Sequence, residues 1–172
     1  MNETEHTFGS QRWQKPVVVM IAGCLICLIG FGARSTFGLF LTPMSGAMEW
    51  DRETFALAMA IQNLLWGLMM PVAGILADRY GYVLVIIGGA LVYALGLWGM
   101  AFTDSVTILH LTAGVLTGVG VSFTSFTLIS TAMVRVVGPE KRSLVFGVGT
   151  AATSFGQVLF SPITQGVIDG YG

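Results

Sequence analysis

Charge is scarce in this 172-residue chain: 10% of residues are Asp, Glu, Lys or Arg against 54% hydrophobic, and the mean hydropathy is +0.79. So little charge cannot dress the surface of a water-soluble domain of this length. With 8 Lys and Arg against 9 Asp and Glu, the net charge is −1. No basic surface is left on which counterion release could hold nucleic acid, so no nucleic-acid partner is expected. Histidine is scarcer still. His6 lies in a polar tail and His110 has no Cys or His at ligand spacing, so neither a metal site nor a cofactor is expected. The two cysteines, Cys24 and Cys27, form a C-x-x-C pair inside an apolar run. A thiolate is disfavoured there and no cationic or helix-end neighbour lowers its pKa, so they read as small buried hydrophobes. Paired carboxylates, or a Ser or Cys beside a base, are missing from the apolar segments, which argues against an enzyme.

What the chain does have is length of apolar run. Crossing a bilayer core of roughly 30 Å takes about 20 apolar residues. Five windows meet this: Val17–Leu41, Thr54–Ala77, Val83–Phe102, Ile108–Val134 and Ser143–Ile168. Within them the only charged side chain is Arg34. Backbone polarity must be satisfied inside each segment, so the windows are predicted as helices. Alternating strands of about 10 residues, the mark of a β-barrel, are not seen. The first run is too long for a signal h-region and no A-x-A site follows it, so it too is a spanning helix.

Orientation follows from where the basic residues fall. Arg12, Lys15, Arg79, Arg135, Lys141 and Arg142 share one side, and only Arg52 stands on the other. The amino terminus, with the polar tail 1–16, is therefore expected in the cytoplasm. Five crossings put residues 169–172 outside, where an outer turn toward a sixth helix belongs. The reading is an all-α membrane protein, an incomplete six-helix bundle with an apparent truncation.

Stripes along these helices point to their interior. In the first, Gly23, Cys27, Gly30, Arg34 and Gly38 recur every three or four residues and share a face. Gly114, Gly118, Ser122 and Ser125 do the same in the fourth, and Gly149, Ala152 and Gly156 in the fifth. Lipid gives helices no hydrophobic reason to associate, and small residues permit the close approach that does. Arg34 lies five residues past the middle of its helix, about 7 to 8 Å toward the outside. A charge at such depth costs from roughly 3 to above 10 kcal/mol. Two arrangements offset that: snorkelling to the interface, or a watery cavity in which the guanidinium binds an anion by paired hydrogen bonds. Its stripe of Gly30 and Gly38, not lipid-facing Leu28 and Leu39, favours the cavity. Gln62 and Asn63 beside Trp66, Thr124, Thr127 and Thr131, and Gln157 are further polar residues at depth. Each either lines that cavity or bonds a neighbouring helix, a contribution near 0.6 kcal/mol on average. Pro71 and Pro162 free a carbonyl and allow a bend.

Between the second and third helices stands Gly74-Ile75-Leu76-Ala77-Asp78-Arg79-Tyr80-Gly81. Gly81 permits the turn, Arg79 obeys the inside bias, and Asp78 can face a positive helix end where two bundles meet. This G-x-x-x-D-R-x-G run, at this place in the topology, resembles the signature loop of the major facilitator superfamily, though Tyr82 and Val83 follow where basic residues are usual. Within that superfamily, Gly38-Leu39-Phe40-Leu41-Thr42-Pro43-Met44, Trp50-Asp51-Arg52 and Gln62-Asn63-Leu64-Leu65-Trp66-Gly67 are similar to the monocarboxylate and oxalate/formate carrier branch. Lys141-Arg142 leading into Gly147, Ala151 and Gly156 adds to the likeness. Two departures count. Ile29, not an acidic residue, precedes Gly30-Phe31-Gly32, which argues against one form of proton coupling; and no arginine stands near Gly114, which argues against drug efflux.

The resemblance implies a secondary carrier of the cell membrane, plasma or inner. Two helical halves would expose a small organic anion alternately to each side, with a proton or counter-anion as coupling partner. It implies a conformational latch at Gly74, Asp78, Arg79 and Gly81, and the polar residues at depth, Arg34, Gln62, Asn63, Thr127 and Gln157, are the expected substrate contacts. This chain would hold one wall of the passage and would not transport without the carboxy-terminal half. The alternatives are a truncated or accessory membrane protein with no transport of its own, and a carrier of another small solute.

Overall fold

Apolar side chains run round most of each helix, so burial inside the protein, not sequence amphipathicity, separates the packed faces from the lipid-facing ones. The computed structural model describes residues 16–39, 51–102 and 104–171. The polar tail up to Lys15, the connection 40–50 with its Thr42-Pro43-Met44 and Trp50, Thr103 and Gly172 lie outside the described residues. The helices are α1 (Pro16–Ser35), α2 (Arg52–Tyr80), α3 (Tyr82–Ala101), α4 (Val106–Leu109), α5 (Thr117–Phe123), α6 (Phe126–Val137) and α7 (Arg142–Tyr171). Five stretches among the described residues are long and apolar enough to span a membrane: Pro16–Leu39, Arg52–Tyr80, Tyr82–Ala101, Val106–Val137 and Pro139–Gly170.

The fourth of these is the hub. Half of its window is buried, against 17 to 33% for the others. The second and third spans pack along it, and the first lies on it while running along the fifth. The backbones of the first and second spans scarcely meet. One core cluster joins Cys27, Ala77, Val85, Ile129, Met133 and Val145; a second joins Phe37, Phe55, Ala58, Met100, Leu109 and Ala113. Helix backbones come together where glycine allows it. Gly156 lies on the Leu28 carbonyl and Gly32 on Phe160, locking the first span to the fifth. Gly118 meets the Gln62 backbone in the same way.

One regular helix over 108–134 was the expectation for the fourth span, and the structure is more broken. After α4 comes a π-helical stretch, His110–Leu116, where Thr117 Oγ1 donates to the Thr112 carbonyl at 2.8 Å. A second break falls at Thr124 and Ser125, where Ser125 is extended (ψ 148°) and Thr124 Oγ1 donates to the Gly120 carbonyl at 2.9 Å. Hydroxyls that bond back to carbonyls a turn earlier compete with the helix ladder, and this span is rich in them.

Two tight turns mirror each other. Gly81 joins α2 to α3 with φ +93°, its N–H donating to the Ala77 carbonyl at 2.9 Å. Gly138 follows α6 with φ +111°, its N–H donating to the Val134 carbonyl at 2.9 Å. Both φ values are open to glycine and strained for other residues.

Candidate functional site

Arg34 stands in the last turn of α1, where a cation also meets the negative end of the helix dipole. It is half-buried, and it crosses to the second span. Its Nη2 donates to Asn63 Oδ1, and its guanidinium carbon lies 4.5 Å from the centroid of the Trp66 ring. Asn63 is held in turn, its Nδ2 donating to the Met59 carbonyl at 2.9 Å. Trp66 is met edge-on by Phe31, centroids 6.3 Å apart and planes at 70°. Tyr93 of the third span, 7% exposed, donates from its hydroxyl to the Gly30 carbonyl at 3.1 Å, one turn below Arg34.

On the arginine's own stripe, a Cβ added at Gly30 or Gly38 would meet nothing within 4 Å, whereas one at Gly23 would strike Met133. The stripe therefore divides: Gly23 and Cys27 pack on the interior, and the part around Arg34 faces open space. The acids of the described residues, Asp51, Glu53, Asp78, Asp104, Glu140 and Asp169, all lie at or beyond span ends. None of them forms an ion pair with Arg34.

Several buried polar atoms around this brace have no hydrogen-bond partner among the described residues: Arg34 Nε, Trp66 Nε1, and both amide atoms of Gln62. Gln62 is 0% exposed and lies one turn before Trp66. The other expected site residues are placed differently. Thr127 is exposed at the start of α6, and Gln157 is exposed on α7 with its carbonyl accepting from Ser161 Oγ at 3.0 Å. Neither bonds to Arg34. The geometry thus brings together Arg34 and Asn63, with Gln62 behind them, and adds two residues sequence reasoning did not assign to the site, Phe31 and Trp66. The i, i+4 spacing of Gln62 and Trp66 was the available signal.

At the far end of the second span, Asp78 Oδ1 accepts from Arg135 Nη2 at 2.8 Å and from the Tyr82 hydroxyl at 3.1 Å. Arg135 covers the Tyr82 ring at 4.5 Å, and Arg79 lies over Tyr80 at 5.4 Å. The motif aspartate is thus tied to the end of the fourth span within this bundle. Gly74 is open to its surroundings and Gly81 makes the turn.

The family profile of the Major Facilitator Superfamily matches residues 14–172, which take in all five spanning stretches. The chain belongs to this superfamily. Human monocarboxylate transporter 7 is 24% identical over 159 residues, covering 92% of this chain and 29% of its own length. Monocarboxylate transporter 13 of Rattus norvegicus is 25% identical over 171 residues, 99% of this chain and 39% of its own. The methyl viologen resistance protein SmvA of Salmonella typhimurium is 29% identical over 130 residues, 76% of this chain and 25% of its own. The chain therefore spans about a quarter to two-fifths of the length of these relatives. Membership places it in a superfamily of multi-pass membrane proteins and bears out the expected partial major facilitator fold.

Proposed function

We propose that this bundle serves a secondary active carrier of small organic anions such as monocarboxylates, working by alternating access, with Arg34 supplying counter-charge to the substrate. One observation carries the reading. Arg34 is a cation at membrane depth with no acidic partner among the described residues, braced toward an open helix face. Intramembrane charges are paired or face water, and an anionic solute would complete this one. The monocarboxylate relatives support the same class. A cationic solute, as the name of the SmvA relative suggests for that protein, would have to approach the arginine, and the Trp66 face it would seek for a cation–π contact already holds the guanidinium.

Gln62 and Asn63 complete the wall beside Arg34, with Thr127 and Gln157 as more distant cavity liners in this proposal. Gly74, Asp78, Arg79 and Gly81 form the latch against a second bundle, at the cytoplasmic side of a cell membrane. The fifth span supports a second bundle as well: Thr150, Ser154, Gln157, Ser161 and Gln165 recur every three or four residues, exposed or half-buried. Such a stripe fits protein or water better than lipid. A proton or counter-anion couples the cycle, and this chain alone does not move solute.

Binding is the test, because the Arg34 brace is made wholly of first- and second-span residues and does not wait on another bundle. Radiolabelled propionate should bind saturably to the purified chain in lipid nanodiscs and fail to bind Arg34→Gln. Equal binding by the variant would remove the proposal. Liposomes carrying the chain should show no propionate accumulation; accumulation would contradict the need for a second bundle.

A further inference from the structure

An arginine on a long flexible stem is a poor instrument for choosing among anions unless something fixes its plane. Here two contacts do so. Asn63 holds one nitrogen, and its own amide is oriented by the Met59 carbonyl. Trp66 takes the other role: its ring lies under the guanidinium at 4.5 Å and is braced from the side by Phe31, three residues before Arg34 on the same helix. The indole Nε1 is buried and has no acceptor among the described residues. Packing between Phe31 and Arg34, not a hydrogen bond, therefore sets the ring's position.

We infer that Trp66 is a positioning residue that sets the anion selectivity of the Arg34 site. This rests on the anion reading above. With one face of the guanidinium covered and one nitrogen committed to Asn63, the ligand is left the remaining in-plane donors. In-plane donors in a fixed fork match two oxygens of a planar carboxylate and give a spherical halide no such advantage. Without the ring the charge remains but its orientation does not. Attraction to any anion persists, and the preference for carboxylate is lost.

The experiment uses the whole chain in nanodiscs, labelled with nitrogen-15 at arginine, with the Arg34 Nε–H resonance identified as the signal that Arg34→Lys removes. Sodium propionate and sodium chloride are titrated at equal ionic strength. In the native chain the Arg34 signal is displaced by the ring current of Trp66 and moves saturably with propionate but not with chloride. Trp66→Leu loses the displacement and binds propionate about tenfold more weakly, equivalent to about 1.4 kcal/mol. Trp66→Phe, which keeps an aromatic face, falls between. Phe31→Leu leaves the indole but loosens it, and should reduce propionate affinity in the same direction; with Trp66→Phe it decides the matter if Trp66→Leu fails to fold. Native affinity in Trp66→Leu, or in both Trp66→Phe and Phe31→Leu, while Arg34→Gln abolishes binding, overturns the part given to Trp66 and leaves the anion reading standing. No propionate response at Arg34 in the native chain overturns both.

Discussion

The crossing of the first and fifth spans offers a test with opposite signs on one helix. Gly156 lies so close to the first span that a Cβ built there would stand 2.9 Å from Leu28 Cα and 2.8 Å from its carbonyl carbon. Ordinary carbon contacts lie near 3.5 to 4.0 Å, so alanine at this position drives the two helices apart by roughly 0.7 to 1.2 Å. The obstacle is backbone, and no rotamer change relieves it. A gap of that size forfeits about a quarter to a half of the dispersion energy of each facing contact, and overpacking of this kind costs about 1 to 3 kcal/mol. On the same helix, a Cβ at Gly147 would meet nothing within 4 Å. Alanine there gains up to about 1 kcal/mol of helix propensity. The assay is unfolding of the purified chain by increasing sodium dodecyl sulfate in mixed micelles, followed by circular dichroism. Thiol labelling of Cys27 adds a local readout, since that residue is 0% exposed and packs in the cluster that includes Val145 of the fifth span. Gly156→Ala should unfold earlier and label faster, and Gly147→Ala should unfold slightly later. An unchanged midpoint for Gly156→Ala, or equal losses in the two variants, would refute the close-crossing argument.

Three further outcomes are expected. Arg34→Lys keeps the charge but loses the planar fork, so propionate binding should fall nearly as far as in Arg34→Gln; retention of most affinity would mean that charge alone suffices. Gln62→Met should raise stability by about 1 to 3 kcal/mol, because a buried amide with both atoms unpaired is replaced by an apolar chain of similar length; destabilisation in the detergent titration would show that the amide has a partner. Gly81→Ala should cost about 1 to 3 kcal/mol through backbone strain at φ +93°, since no atom crowds the added methyl group; a native midpoint would contradict that conformational account.

The sequence carried the spans because lipid imposes a composition that local reading detects. The charge at Arg34, the open stripe of Gly30 and Gly38, and the turn at Gly81 were legible for the same reason: each is a local exception to an apolar rule. Contacts between spans were not legible. Nothing within α2 alone says that Asn63 receives Arg34, or that Trp66 carries its guanidinium, because both depend on the rotation of two helices whose backbones hardly touch. The tie from Asp78 to Arg135 links residues 57 positions apart and was hidden for that reason. The interruption of the fourth span was hidden differently. Its threonines and glycines are compatible with a continuous helix, and only packing against the second and third spans decides how their hydroxyls are used.

Gly81 and Gly138 give their two hairpins almost no slack. Connections of one residue at Gly81 and of four at Gly138 to Lys141, the last three of them a tight helical turn, leave the arms little room to slide lengthwise past each other, so each pair is geared to travel as a stiff fork. Compliance then has to come from elsewhere, and the fourth span contains it: the widened turn before Thr117 and the extended residue at Ser125 divide an otherwise rigid rod into three jointed pieces. Motion of this bundle would pivot inside that rod, not at the loops on its surface.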